Sequence, residues 1–63
     1  MARFKLTVKS DFYPLKKGEE IFINANTEWD ITDAMVKQAA MEQLNKKLNF
    51  IYSRNQYDIK KLF

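Results

Sequence analysis

The first residues of the chain alternate strictly between polar and apolar side chains. Every second position of residues 3–9 is apolar: Phe4, Leu6 and Val8. The alternation returns over residues 19–26, where one side carries Ile21, Ile23 and Ala25. A period of two with β-branched and aromatic residues predicts strands with one buried face. The connection between these strands contains Pro14 and Gly18 and is too short for a crossover, so we expect them to pair antiparallel.

A helix is predicted from Thr32 to about Asn49. This segment lacks Gly and Pro and is rich in residues that favour helices, such as Ala, Met, Gln, Leu and Lys. Its candidate N-caps are Thr27, Asp30 and Thr32. At about 100° per residue, one side of the helix carries an apolar set: Val36, Ala40, Met41, Leu44 and Leu48. Met35 and Ala39 fall on the far side, where they are left for solvent or a partner.

The end of the chain contains two strand-like segments, residues 50–52 and 57–63. Either the two form a short hairpin, or residues 50–55 are a loop and only residues 57–62 form a strand; we favour the second arrangement. The predicted fold class is therefore α+β, a small β–β–α–β domain over residues 1–63. It has a three-stranded antiparallel or mixed sheet with one helix packed on one face.

Charge is segregated along the sequence, although the net charge is only +3. Residues 1–17 carry five basic side chains and one acidic one, and residues 37–63 carry six and two. The window between them, residues 18–36, has no Lys or Arg and five acids: Glu19, Glu20, Glu28, Asp30 and Asp33. This segregation suggests that function depends on charged surfaces.

The chain lacks the residues that most enzymes use. It contains no His and no Cys, so the usual acid–base group at neutral pH, thiolate chemistry and most zinc sites are excluded. One Gly cannot build a phosphate-cradling loop. Asp30 and Asp33 with Glu28 could hold a divalent ion, but acids at the start of a helix more often serve capping and the helix dipole. We expect no enzyme activity, no bound metal and no cofactor.

The sequence also bears on location and stability. No apolar run approaches the ~18 residues that span a membrane, and no signal peptide is visible. We therefore expect a cytoplasmic protein without membrane contact. A chain of 63 residues without disulfides has a core that stabilises it by only ~3–5 kcal/mol. Its aromatic residues, or a homodimer, would have to supply additional stability.

A protein partner is the leading functional expectation. Phe22 on the polar side of the second strand, together with Met35 and Ala39, is apolar surface of the kind that protein interfaces use. Three acids of the central window would steer a basic partner or a second copy: Glu19, Glu20 and Glu28. Trp29 is expected in the core or in a hydrophobic staple. The chain is then a small interaction module, with homodimerisation open, of a size typical of accessory proteins of phages and mobile elements.

Nucleic-acid binding is the alternative. If the first and third strands are neighbours, one sheet face would gather basic and aromatic residues: Arg3, Lys5, Lys9, Tyr57, Lys60 and Lys61. Cations that follow phosphates and rings that stack on bases suit single-stranded nucleic acid. The same lysines would also serve simply to keep an exposed sheet face soluble and its edges unpaired.

Overall fold

The computed structural model describes all residues from Met1 to Phe63, and it has the predicted element order. The strands and the helix are β1 (Ala2–Val8), β2 (Glu20–Ala25), α1 (Asp33–Leu44) and β3 (Tyr57–Lys61). Short 3₁₀ turns occupy Glu28–Asp30 and Arg54–Gln56. The chain is thus an α+β fold, and the preferred division of the tail into a loop followed by a strand is confirmed.

The sheet is antiparallel throughout, with strand order β2–β1–β3. The central strand β1 places Lys5 between Phe22 on β2 and Lys60 on β3. The expected antiparallel pairing of the first two strands is confirmed. The adjacency of β1 and β3, on which the nucleic-acid alternative depends, is present as well.

One face of the sheet, the inner face, is buried, and the other is not covered. The buried core consists of 14 residues, none of them polar. On the sheet these residues are Ala2, Phe4, Leu6, Val8, Ile21, Ile23, Ala25 and Tyr57. They are covered by Leu15, Ile31, Val36, Ala39, Ala40 and Leu48. The opposite side, the outer face, carries the intervening side chains: Arg3, Lys5, Thr7, Glu20, Phe22, Asn24, Asp58 and Lys60.

Helix α1 is shorter than predicted. The hydroxyl of Thr32 accepts a hydrogen bond from the Met35 amide (3.3 Å), so Thr32 is the N-cap. The helix ends at Leu44 because Asn45 adopts a left-handed conformation (φ 54°) and the Lys46 amide donates back to the Ala40 carbonyl. At 12 residues it is neither long nor apolar enough to cross a membrane.

The helix is also rotated relative to the prediction. Ala39 is buried (7% exposed), whereas Met41 is 44% exposed. The prediction that Ala39 lies on the far side of the helix is therefore wrong, and only the small exposed part of Ala39 reaches the groove between β2 and α1. The reason is a pair of hydrogen bonds to the backbone of Phe22: the Gln43 side chain accepts from its amide (2.8 Å) and donates to its carbonyl (2.7 Å). These bonds turn Ala39 toward the core, where its small side chain permits close packing.

The connection between β1 and β2 closes the core at the end of β1. The backbones of Phe12 and Leu15 hydrogen-bond to each other around the cis peptide between Tyr13 and Pro14. Leu15 is buried, and the Phe12 ring meets Phe50 edge-on at 5.1 Å between centroids. The loop therefore covers the part of the core that α1 does not reach.

Candidate binding surfaces on the sheet and beside the helix

The outer face gathers three of the six residues predicted for nucleic-acid binding. Arg3, Lys5 and Lys60 lie on adjacent strands, with Lys5 and Lys60 directly opposite each other. Lys9 lies just beyond β1 on the same side, 3.8 Å from the Asp58 carboxylate. Antiparallel alternation places these side chains on the face that the helix leaves open.

Two of the predicted members of this surface lie elsewhere. Tyr57 pairs with Val8 and points into the core, where it is 2% exposed. Lys61 pairs with Phe4, which assigns it to the inner side of β3. Their inclusion in the basic face is wrong because the register of β3 directs odd-numbered residues inward, and the sequence alone leaves that register open.

An aromatic ring adjoins the cations. Phe22 is half-buried on the outer face, opposite Lys5. The Arg3 guanidinium lies 5.2 Å from the centre of the Phe22 ring and donates a hydrogen bond to the Asn24 side chain (3.3 Å). A cation held against a ring in this way presents a flat, positively charged platform to solvent.

The charges of this platform are only partly balanced within the chain. Lys5 lies 3.5 Å from Glu20. No carboxylate lies within 4.0 Å of the charged nitrogens of Arg3 or Lys60. The region around Lys5 therefore keeps an excess of positive charge.

The acids proposed for the protein interface are all engaged within the chain. Glu19 receives two hydrogen bonds from the Lys46 ammonium, at 2.7 and 2.8 Å, and this partner lowers the pKa of the Glu19 carboxyl. Glu20 pairs with Lys5, and Glu28 pairs with Arg54. The acidic window is thus largely neutralised by basic residues from the flanking segments.

The residual charge follows from these pairings. Five of the eleven basic and five of the eight acidic side chains form ion pairs, which leaves six cations and three anions. The unpaired cations are Arg3, Lys16, Lys17, Lys47, Lys60 and Lys61. Half of them, Arg3, Lys60 and Lys61, lie on β1 and β3, and the other half lie on the β1–β2 loop and after α1.

A groove between β2 and α1 brings together the three apolar interface candidates, Phe22, Met35 and Ala39, of which Ala39 is almost fully buried. Phe22 and Met35 are both half-buried, and both line this groove. Its polar lining comes from Arg3, Asn24, Gln38, Glu42 and Gln43. The groove joins the outer face at Phe22, so the two surfaces share that ring.

Trp29 and Arg54 form a further exposed pair. Trp29 is 70% exposed, and the Arg54 guanidinium stacks 4.0 Å from the centre of its ring while also pairing with Glu28. The expectation of a core position for Trp29 is wrong: the 3₁₀ turn at Glu28–Asp30 directs the ring outward, and Ile31 is buried in its place. Trp29 lines a shallow depression with Ile59 and Lys61 of β3.

The three acids considered for a metal site, Glu28, Asp30 and Asp33, each interact with a different residue of the chain. Asp33 accepts a hydrogen bond from the Tyr52 amide (2.7 Å), which is the main cause of its lowered pKa, and pairs with Lys37 at 3.0 Å. Asp30 accepts from the Thr27 hydroxyl, and Glu28 is held by Arg54. No group of three or more carboxylates converges to hold an ion.

Sequence reasoning missed the roles of Gln43 and of the Trp29–Arg54 pair. Gln43 lies 21 positions from Phe22, and Arg54 lies 26 positions from its acidic partner Glu28. No local pattern signals either contact. No protein-family model, curated protein or solved structure matches the chain.

Proposed function

We propose that this chain is a small non-enzymatic binding protein whose outer face binds single-stranded nucleic acid. The observation that carries the proposal is the gathering of Arg3, Lys5 and Lys60 with the Phe22 ring on a face that nothing covers. The engagement of Glu19, Glu20 and Glu28 within the chain favours this partner over a basic protein. An anionic partner complements the excess charge of the sheet.

Each part of the platform has a role in this proposal. Arg3, Lys5 and Lys60 contact phosphates, because unpaired or weakly paired cations gain most from a polyanion. The Arg3 guanidinium, which lies over the Phe22 ring, offers together with that ring a surface on which an unpaired base can stack. Bases in a duplex are already stacked, so the platform should favour single strands.

The binding measurement is a titration of fluorescently labelled single- and double-stranded oligonucleotides, followed by anisotropy at several salt concentrations. Three phosphate contacts predict a slope of log K against log salt of about −2, from about −0.7 per contact on single strands. Single strands should bind more tightly than duplexes of the same length. Absence of binding to either at low salt contradicts the proposal.

Two variants locate the binding site. Arg3→Glu should weaken binding and make the salt slope shallower, because it replaces one phosphate contact with repulsion. Phe22→Leu keeps the site apolar but should weaken binding about fivefold or more, because a stacked base contributes ~1–3 kcal/mol. Lys47→Glu is the matched control: it makes the same change in net charge as Arg3→Glu at an exposed site after α1. Equal effects of Arg3→Glu and Lys47→Glu would show that only net charge matters.

A protein partner in the groove between β2 and α1 is the second candidate function. The observation that favours it is that Phe22 and Met35 line one groove beside an edge strand. The Gln43 side chain occupies the backbone groups of Phe22, so an extended segment with an apolar side chain could pair beside the groove through the backbone of Asn24, which also points away from β1.

Selection of peptides from a displayed library tests this second candidate. The wild type should enrich an apolar extended motif, and Met35→Lys should lose it while keeping its affinity for oligonucleotides. Glu42→Gln, which changes the rim of the groove and leaves both apolar residues in place, is the control. Failure to enrich any motif, or equal enrichment on Met35→Lys, removes this candidate.

A further inference from the structure

The two edges of the sheet differ. On β2, the amide and carbonyl of Phe22 are occupied by the Gln43 side chain, so the helix partly covers that edge. On β3, the backbone groups of even-numbered residues point toward β1. Two hydrogen bonds just outside the strand show this: the Lys9 amide donates to the Gln56 carbonyl, and the Leu62 amide donates to the Arg3 carbonyl. The backbone groups of Ile59 and Lys61, which lie between those positions, therefore point away from the sheet.

The free edge of β3 has a definite pattern of charges. Asp58 and Lys60 lie on its outer face, on either side of Ile59. Lys60 has no carboxylate within 4.0 Å, and Asp58 has only the distant ammonium of Lys9 at 3.8 Å. A partner strand that brings an acid to Lys60 and a cation to Asp58 complements this edge.

We propose that a second copy of the chain supplies this strand, and that β3 pairs antiparallel with β3 of its partner, with Ile59 on the twofold axis. In this register Asp58 of each copy lies opposite Lys60 of the other. The dimer goes beyond the proposed function and does not depend on it. Its hydrogen bonds lie along the strand edge, whereas the proposed nucleic-acid site is the outer face; Lys60 is the one residue that both surfaces use.

Charge selects this register from the three that the backbone allows near the middle of the strand. The free amides belong to odd-numbered residues, so only registers that pair odd with odd can form hydrogen bonds. If Ile59 instead pairs with Lys61 of the other copy, the two Lys60 side chains lie opposite each other. If Ile59 pairs with Tyr57 of the other copy, the two Asp58 side chains lie opposite each other. Like charges directly opposite each other are destabilising, and opposite charges are stabilising. Lys60 therefore disfavours the other registers of β3 and favours the register in which it faces Asp58 of the other copy.

The dimer would join the two sheets into one of six strands. Ile59 exchanges two backbone hydrogen bonds with its copy, and the Lys61 amide of each copy donates to the Tyr57 carbonyl of the other. Trp29, which lines the depression next to Ile59, lies beside the axis on the inner side. Since it is the only Trp of the chain, its fluorescence reports directly on pairing.

Single-cysteine variants test the register, because the chain has no Cys of its own. Ile59→Cys should oxidise to a covalent dimer, since residues that face each other in such a pair lie ~5.5 Å apart, within disulfide range. Asp58→Cys and Lys60→Cys are the matched controls: each lies ~7–8 Å from its own copy and should not cross-link alone. An equimolar mixture of those two should form the mixed dimer. Preferential self-linking of the Asp58→Cys or Lys60→Cys variant would overturn the register.

Charge exchange and sedimentation equilibrium test the pairing without a cross-link. Asp58→Lys or Lys60→Asp alone should weaken dimerisation about tenfold, because two symmetric pairs change from attraction to repulsion. The double exchange should restore it. Arg3→Glu, which removes a cation away from this edge, should dimerise like the wild type. Circular dichroism verifies that each variant is folded.

The outcomes separate this inference from the proposed function. A wild type that stays monomeric at the highest soluble concentration, with unchanged Trp29 fluorescence, overturns the dimer and leaves nucleic-acid binding standing. A dimer that forms equally well in the single and double exchange variants also overturns it. Loss of oligonucleotide binding with dimerisation intact would contradict only the proposed function.

Discussion

At the scale of single residues, the unusual feature is a pair of buried hydroxyl groups. The side-chain oxygens of Tyr52 and Tyr57 are shielded from solvent, and neither has a hydrogen-bond partner in the protein. The two rings pack 5.7 Å apart, and Phe12 meets Tyr57 edge-on at 6.1 Å. Burial raises the pKa of Tyr57 to about 12. The rings stabilise the core, whereas the hydroxyl of Tyr57 costs free energy.

Tyr57→Phe should therefore stabilise the protein, by about 1 kcal/mol, because it removes an unsatisfied polar group and keeps the ring. The wild type should also lose stability as pH rises from about 10 toward 12, since the folded-state pKa is raised above the ordinary value of 10.0 and ionisation favours the unfolded chain. The variant should lose less over this range. Urea denaturation at neutral and alkaline pH measures both effects.

The control for this substitution is Tyr13→Phe, because Tyr13 lies on the β1–β2 loop and is 93% exposed. It should leave the free energy of unfolding unchanged. A destabilised Tyr57→Phe variant would mean that the hydroxyl has a partner that the account overlooks.

At the scale of the elements, the strands could be read from local pattern and the placement of the helix could not. The buried faces of β1 and β2 follow from alternation, which each strand carries in its own sequence. The rotation of α1 depends on Gln43 meeting Phe22 across 21 positions, and its early end depends on the left-handed conformation of Asn45. Apolar periodicity alone does not distinguish Ala39 from Met41 as the buried residue.

Gln43→Ala should destabilise the protein by about 1–2 kcal/mol, because it removes two neutral hydrogen bonds at a partly solvated edge. The amide of Phe22 should exchange with deuterium faster, since its acceptor is lost. Urea denaturation and amide exchange measure the two effects.

Gln38→Ala is the matched control, a glutamine on the same helix that lines the groove and is exposed. It should change stability by less than about 0.5 kcal/mol. Equal costs for the two alanine variants would show that Gln43 acts through helix propensity and not through β2.

The candidate site was predictable to the extent that it depends on alternation along one strand. Arg3 and Lys5 share a face because they lie two positions apart on β1, and Lys60 joins them once β3 is known to pair there. The exclusion of Tyr57 and Lys61 depends on the register of β3, which is set by contacts in the folded core. If β3 were shifted by one residue, Tyr57 and Lys61 would lie on the outer face and Lys60 would lie on the inner face.

At the scale of the whole molecule, the acidic middle of the chain and its basic ends neutralise one another. Glu19 pairs with Lys46, Glu20 with Lys5 and Glu28 with Arg54, so segments far apart in sequence are linked by charge. Of the six cations left unpaired, Arg3 and Lys60 lie on the outer face. Most acids of the central window thus form ion pairs with cations of the flanking segments. Two cations without an acidic partner, Arg3 and Lys60, belong to the proposed binding surface.

The most direct test of this account is a titration of the isotopically labelled protein with a single-stranded oligothymidine, followed by amide chemical shifts at low salt. The largest changes should map to Arg3, Lys5, Phe22 and Lys60, and they should reverse as salt is added. The exposed end of α1 near Glu42 should change little. Absence of shifts at low salt, or shifts that avoid the outer face, would contradict the proposal.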